Sequence, residues 1–261
     1  MNQPTVENQI EQAIETFVGG FTFTRSFTYP YLAERINDLW VMRDAPRKRA
    51  DYRSEEWVAY GRSAEEIDRI ARKHTRGKFV ICAIGEDESA QTRLRTDFKA
   101  LNYRLIGSEP LMVHSLTNIP FVETGIPITQ VLEAELADRL AKTAGSRQIL
   151  PSHLTEDALI RQYVAEVEGQ LVGWVRSICV KGKPGTTATW HSNMFVEPAF
   201  RRRGIARSLL WRMLQEDRAH GAKQAVLLAS QAGAKLYPLL GYEQIATLLI
   251  YAPKVQQELK H

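Results

Sequence analysis

Residues 195–214 read FVEPAFRRRGIARSLLWRML, an apolar stretch that passes a proline and three arginines, meets a glycine and enters a helix-period segment. No other segment restricts the chain as much. A helix start already carries unpaired N–H groups and a partial positive charge, so further cations there need solvent or an anion to offset them. Two readings follow: a solvated basic bump, or a phosphate cradle. The chemistry suits the second. Gly204 admits close backbone approach, Ala206 keeps the second helical position small, and the main chain of Gly204, Ile205 and Ala206 supplies donors. Arg201, Arg202 and Arg203 add charge-assisted donors. The NMFV stretch ahead of them (193–196) reads as a strand that ends before Pro198.

The neighbouring segments give that loop a context. RQYVAEVEGQLVGWVRSICVKGKPGTTATWHSNMFV (161–196) predicts a three-strand meander turning at EGQ and KGKPGTT. GIARSLLWRMLQEDRAHG predicts a helix closed by Gly221, QAVLLAS a buried strand, QAGAKLYPLL a helical turn or two, and GYEQIATLLIYAP a last strand. Pro238 disfavours the α conformation at Tyr237, so that short helix is expected to be bent or brief. Upstream, TQVLEAELADRLAKTAG predicts a helix with a glycine stop, and TNIPFVETGIPI (117–128) a domain boundary.

In the first half, Val6, Ile10, Ile14 and Phe17 share one helical face. FTFTRSFTYP alternates like a strand ending at Pro30, and YLAERINDLWVM and SAEEIDRIARKH read as helical or mixed. RDAPRKRADYRSEEW reads as charged surface, KFVICAIG as a buried strand, RLRTDFKALNY as a helix and RLIGSEPLMVHSL as extended. The class is α/β or α+β with a mixed sheet.

Composition narrows the function. A net charge of +4 over 261 residues permits anionic partners without demanding nucleic acid. No apolar run approaches the roughly 18 residues needed to cross a bilayer, so no membrane association is expected. The polar, acidic N-terminus lacks a signal-peptide pattern. Cys82 and Cys179 lie in apolar runs and read as buried free thiols, which points to the cytoplasm. The six histidines show no metal-ligand spacing, and no metal is expected. GKPGTT has the wrong order for a P-loop and reads as a turn.

Arg201-x-x-Gly204-x-Ala206 resembles motif A of the GNAT acetyltransferase superfamily, Gln/Arg-x-x-Gly-x-Gly/Ala. LLASQAGAKLYPLLGYEQ, with Tyr237, Gly241 and Tyr242, resembles the family's motif B, and the likeness spans about residues 160–252. It implies a GNAT-like fold, a mixed, mostly antiparallel sheet flanked by helices. It also implies acetyl-CoA as acyl donor, its pyrophosphate on the Arg201–Ala206 loop. Met194, Phe195 and Val196 would line the pantetheine arm where the family's fourth and fifth strands splay. Tyr237 would be the general acid toward the sulfur, with a buried core tyrosine as the structural alternative. Ser230 stands where many relatives carry an asparagine for cofactor contact. A base is harder to place: counting back from Arg201, Trp190 and Ser192 fall inward and His191 outward. A β-bulge would reverse that parity and make His191 the candidate base; a water-mediated route remains open.

The first half echoes the second. DFKALNYRLIGSEPLMVH lies over LYPLLGYEQIATLLIYAP at one constant offset, setting Phe98 on Tyr237, Asn102 on Gly241 and Tyr103 on Tyr242. The expectation is two tandem GNAT-like units. Residues 1–120 would form a degenerate unit without a coenzyme loop, and 121–261 an N-acetyltransferase domain. Phe98 has no hydroxyl, and no motif A precedes residue 120. The acceptor would be a small-molecule or peptide primary amine, and a homodimer stays open. A non-catalytic coenzyme A sensor is the alternative. An aminoacyl-tRNA-dependent transferase also pairs two such units but needs no coenzyme loop.

Overall fold

The computed structural model describes residues 5–48, 51–123, 125–182 and 187–254. The chain runs α1 (Val6–Arg25), β1 (Tyr31–Ile36), β2 (Leu39–Asp44), β3 (Glu55–Tyr60), α2 (Ala64–His74), β4 (Phe79–Gly85), α3 (Glu88–Ala100) and β5 (Tyr103–His114). After a short β6 (Ile128–Gln130) come α4 (Ala134–Ala144), β7 (Ile160–Val167), β8 (Gln170–Lys181), β9 (Thr187–Val196), α5 (Ile205–Ala219), β10 (Gln224–Leu228), α6 (Gly233–Leu236) and β11 (Glu243–Pro253). Helix, three strands, helix, strand, helix, strand therefore occurs twice. The echo read in the sequence falls on α3–β5 and α6–β11, and its turn positions share a backbone conformation: Asn102 has φ 64° and Gly241 φ 89°.

The fold is α+β, on mostly antiparallel sheets, and the chain forms two compact units. One gathers the chain up to Met112, Leu228–Gln231 and the chain from Gln244 onward; the other holds Val113–Leu227 and Ala232–Glu243. The first unit's sheet has the order β1-β2-β3-β4-β11-β5, with β3 parallel to β4 and β11 antiparallel to β4. Thus the last strand of the second run belongs to the first unit's sheet. Packing explains its place there: Leu249 and Tyr251 join a core of Trp57, Ile67, Ile81 and Phe98. The Phe98 ring stacks on Tyr251 with centroids 4.4 Å apart. In the second unit the order is β10-β9-β8-β7-β6, with only β10 and β9 parallel.

Several local expectations change. FTFTR is not a strand but the end of α1, because the Phe21 ring packs tilted against Phe17 one helical turn away (centroids 5.6 Å apart) and the Thr22 hydroxyl donates to the Val18 carbonyl at 2.7 Å. The period-two alternation lasted too few residues to outweigh that apolar stripe. YLAERINDLWVM is a hairpin whose Asn37 and Asp38 both take positive φ, 49° and 65°, as a two-residue primed turn requires. RDAPRKRADYRSEEW is not simply charged surface. Asp44 is buried and accepts from Arg47 Nη2 (2.8 Å) and Arg53 Nε (2.6 Å), while Glu55 and Glu56 open β3 in the interior. Burial alone would raise the Asp44 carboxyl, but the bonds from Arg53 and the charge of Arg47 hold it below the usual range. Thr129 and Gln130, expected in the α4 helix, lie in β6. Cys82 is buried and Cys179 half-buried, both free. The middle of the expected turn at 182–187 lies outside the described residues. Among the described residues no helix is long and apolar enough to cross a membrane.

Candidate functional site

The second unit carries the loop. β9 ends at Val196, a short helical turn covers Pro198–Phe200, and Gly204 caps α5 with φ 81°. Arg202 is also left-handed, φ 66°. The first intrahelical bond runs from Ser208 N to the Gly204 carbonyl, and no side chain caps the helix. The N–H groups of Ile205, Ala206 and Arg207 therefore precede any intrahelical acceptor. A Cβ built at Gly204 meets nothing within 4 Å, so the turn is open to an approaching ligand. Arg201, Arg202 and Arg203 are exposed around it. Arg201 Nε donates to the Val196 carbonyl at 3.0 Å, tying the loop back to its strand.

Gly173 on β8 sets how closely α5 approaches. A Cβ there would lie 3.0 Å from the Phe195 carbonyl, 3.1 Å from Ile205 and 3.2 Å from Leu209. Bulk at 173 would push the helix start outward. Beside the loop lies a cleft of about 460 Å³, bordered by Lys142, Thr143, Gly169, Glu197 and Phe200 among others.

The decisive backbone feature is where β9 loses its partner. Parallel pairing with β10 runs from Ala188↔Gln224 to Trp190↔Val226 and goes no further. From His191 to Val196 that edge of β9 has no β10 partner among the described pairs. On the other edge the register with β8 jumps from Arg176↔Ser192 to Trp174↔Phe195, a bulge centred on Asn193, whose φ is 56°. Met194, Phe195 and Val196 are half-buried in this released stretch, and Phe195 stacks on Trp174 at 4.5 Å. The corresponding strands of the first unit stay joined: β3 pairs with β4 from Glu55↔Phe79 through Tyr60↔Ile84. There α2 begins with a Ser63 cap that accepts from Glu66 N, followed by Glu65 and Glu66. That start is satisfied and acidic, and it does not suit an anion.

The bulge lies between Ser192 and Phe195, and His191 faces α5. It is buried, with both ring nitrogens engaged. Tyr242, which burial holds far above the usual phenol range, donates its hydroxyl to Nδ1. Nε2 donates to Asp217 Oδ2 at 2.5 Å. Asp217 also accepts from Arg161 (2.5 Å), Ser177 (2.7 Å) and Thr189 (2.8 Å). Burial alone would raise this carboxyl; the bond from His191 and the charge and bond of Arg161 hold it below its usual range. A single aspartate thus ties α5 to β7, β8 and β9. The sequence reading missed Asp217 and Arg161; the available signal was a charged residue on the apolar side of the α5 pattern.

Tyr237 is buried, with its ring 5.5 Å from that of Tyr242. Despite Pro238 it is in the αR region, φ −61° and ψ −38°; α6 is four residues long and continues as a 3₁₀ turn. Gly233 makes room for the ring, since a Cβ there would lie 2.5 Å from Tyr237 Cε2. Burial pushes the Tyr237 hydroxyl up to about 12, so it stays protonated. Ser230 is exposed and falls among Leu228–Gln231 of the first unit. Among the described residues no three His, Cys, Asp or Glu side chains cluster as a metal site.

Residues 159–244 match the acetyltransferase (GNAT) domain. The match takes in the released strand, the loop, α5 and the Tyr237 turn. In fold the chain is similar to a GCN5-related N-acetyltransferase from Kribbella flavida, with TM-score 0.66 and 17% identity over 94% of this chain and 95% of that one. It is also similar to a GCN5-related N-acetyltransferase-like protein from Streptococcus suis (TM-score 0.53, 12% identity, 97% and 100% covered). A GCN5-related N-acetyltransferase from Sphaerobacter thermophilus gives TM-score 0.52 and 16% identity over 83% and 78%. That coverage includes the N-terminal half, which therefore resembles GNAT structures as well. No curated protein matches the chain in sequence. The family match is to a GNAT acetyltransferase domain over residues 159–244, and the structural likenesses are likenesses of fold.

Proposed function

We propose that the chain transfers an acetyl group from acetyl-CoA to a primary amine by direct attack on the thioester. One observation carries the reading: β9 leaves β10 at Trp190, and its released end, His191–Val196, leads into the glycine loop that opens α5. Acetyl-CoA would supply the activated acyl carbon. The amides of Gly204, Ile205 and Ala206 and the guanidiniums of Arg201, Arg202 and Arg203 suit its pyrophosphate. The free backbone of Met194, Phe195 and Val196 suits the pantetheine amides and the carbonyl oxygen that gains charge during attack. As the amine nitrogen bonds to the carbonyl carbon, the C–S bond breaks and Tyr237 gives its proton to the departing sulfur. The amine's own proton leaves to water, because His191 has both nitrogens occupied by Tyr242 and Asp217.

Residues 121–261 would hold this domain and 1–120 a unit without coenzyme, one acetyl-CoA per chain. Ser230 is kept as a cofactor contact on the family likeness alone. Thermal denaturation with acetyl-CoA tests the reading, since a ligand bound to the native state raises the melting point. No shift at millimolar ligand overturns it. A shift without thiol release across an amine panel would favour a coenzyme A sensor.

A further inference from the structure

Arg176 lies on β8 opposite Ser192, the last β9 residue paired ahead of the bulge. Its neighbours in sequence and register, Ser177 and His191, both reach Asp217 beneath α5, so alternation puts Arg176 and Ser192 on the other face. The chain pairs its buried guanidiniums with carboxylates: Arg43 with Glu34 and Glu55, Arg161 with Asp217. Arg176, half-buried, has no such partner. Among the described residues no carboxylate lies within 4.0 Å of it. Its contacts are neutral acceptors, Ser192 Oγ at 3.1 Å from Nε and the Gln148 carbonyl at 3.3 Å from Nη1. A guanidinium has five N–H donors, and a half-buried one beside neutral acceptors alone keeps donors and charge to offer an anion. Burial lowers its pKa to about 10, which still leaves it charged near neutral pH.

The surroundings are built around it. Gln148 is buried; its side-chain oxygen accepts from Asn193 Nδ2 at the bulge, and its Nε2 donates to Ser146 Oγ at 2.8 Å. The 146–148 loop is thereby pinned to β8 and β9 where β9 is released from β10. The cofactor's phosphates would be served at the α5 start, so an anion at Arg176 belongs to the other substrate. One guanidinium balances one negative charge, and its planar fork fits a carboxylate in a bidentate way.

We infer that the acceptor is an amine that also carries a carboxylate, of the amino-acid class, and that Arg176 holds the carboxylate beside the released stretch of β9. This rests on the acetyl-transfer reading and adds the acceptor class to it. The test uses the twenty common amino acids and their carboxamides. Each is offered as acceptor with acetyl-CoA in a thiol-release assay, and as a ligand by calorimetry with and without coenzyme A. At least one amino acid should bind and react, with its carboxamide weaker by about 10- to 100-fold in KM and Kd. Arg176→Gln should erase that difference, Arg176→Lys should keep part of it, and the melting-point shift given by acetyl-CoA should persist in both. Equal behaviour of acid and amide, no amino acid bound at millimolar concentration, or tighter binding of aminoalkyl phosphates overturns the inference. So does an Arg176→Gln variant that weakens acid and amide by the same factor, which would make Arg176 only a pin for the 146–148 loop. Failure of acetyl-CoA to stabilise the protein would strike the donor reading alone, because carboxylate binding is also read without coenzyme.

Discussion

His191 on β9 donates through Nε2 to the Asp217 carboxylate on α5, 2.5 Å away and fully buried. The same carboxylate answers Arg161, Ser177 and Thr189, so the helix that presents Gly204 is fastened near its far end to three strands. Its start is set by the close approach at Gly173.

Asp217→Asn should cost about 3–5 kcal/mol of folding stability, because it strands the buried Arg161 guanidinium. Urea denaturation measures this; a loss under 1 kcal/mol would show that the carboxylate is not the fastening. The folded-state pKa of Asp217 lies below its unfolded value. Its contribution is therefore fully present above about pH 4 and is lost as pH falls through the lowered value. The gap in stability between wild type and Asp217→Asn should close only in that acid window.

Tyr237→Phe should lower kcat by about 10²- to 10⁴-fold and leave the KM for acetyl-CoA within about twofold. Because burial raises the hydroxyl to about 12, the acid stays protonated through the ordinary range. No alkaline loss of kcat below pH 10 should trace to this residue. A limb near pH 9 that vanishes in the phenylalanine variant would contradict the assignment.

Gly233→Ala probes the same ring from the side. Its Cβ would clash with Tyr237 Cε2, so the ring must move. We expect kcat to fall at least tenfold while stabilisation by acetyl-CoA persists, read by steady-state kinetics beside thermal shift. Unchanged kcat would mean that the ring's position does not matter.

Gly204→Ala places a side chain at φ 81°, which costs roughly 1–2 kcal/mol, and intrudes on an open approach to the loop. Acetyl-CoA affinity should drop about tenfold or more, measured by calorimetry. Unaltered affinity would place the phosphates elsewhere.

Much of this was legible in the chain. The meander around EGQ, the loop from Arg201 to Ala206 and the brief turn at Tyr237 were read from periodicity and from glycine and proline. Such signals act within a few residues. The FTFTR alternation misled because short runs of either period look alike, and the register of Phe17 with Phe21 outweighed it. His191 could be placed on a face only by counting through a bulge that Asn193 does not announce. Nothing beside Arg176 in sequence tells that its neighbours are neutral.

The order of residues by itself determined the backbone conformation and charge of the helix start, because φ freedom at Gly204, unpaired amides and guanidiniums are properties of adjacent residues. Only the tertiary structure decided that β9 parts from β10 at Trp190, that Asp217 meets His191, and that β11 belongs to the first unit's sheet. Those outcomes join residues far apart in the chain. They are selected by side-chain packing and by the need to satisfy every buried charge, terms that no local window contains.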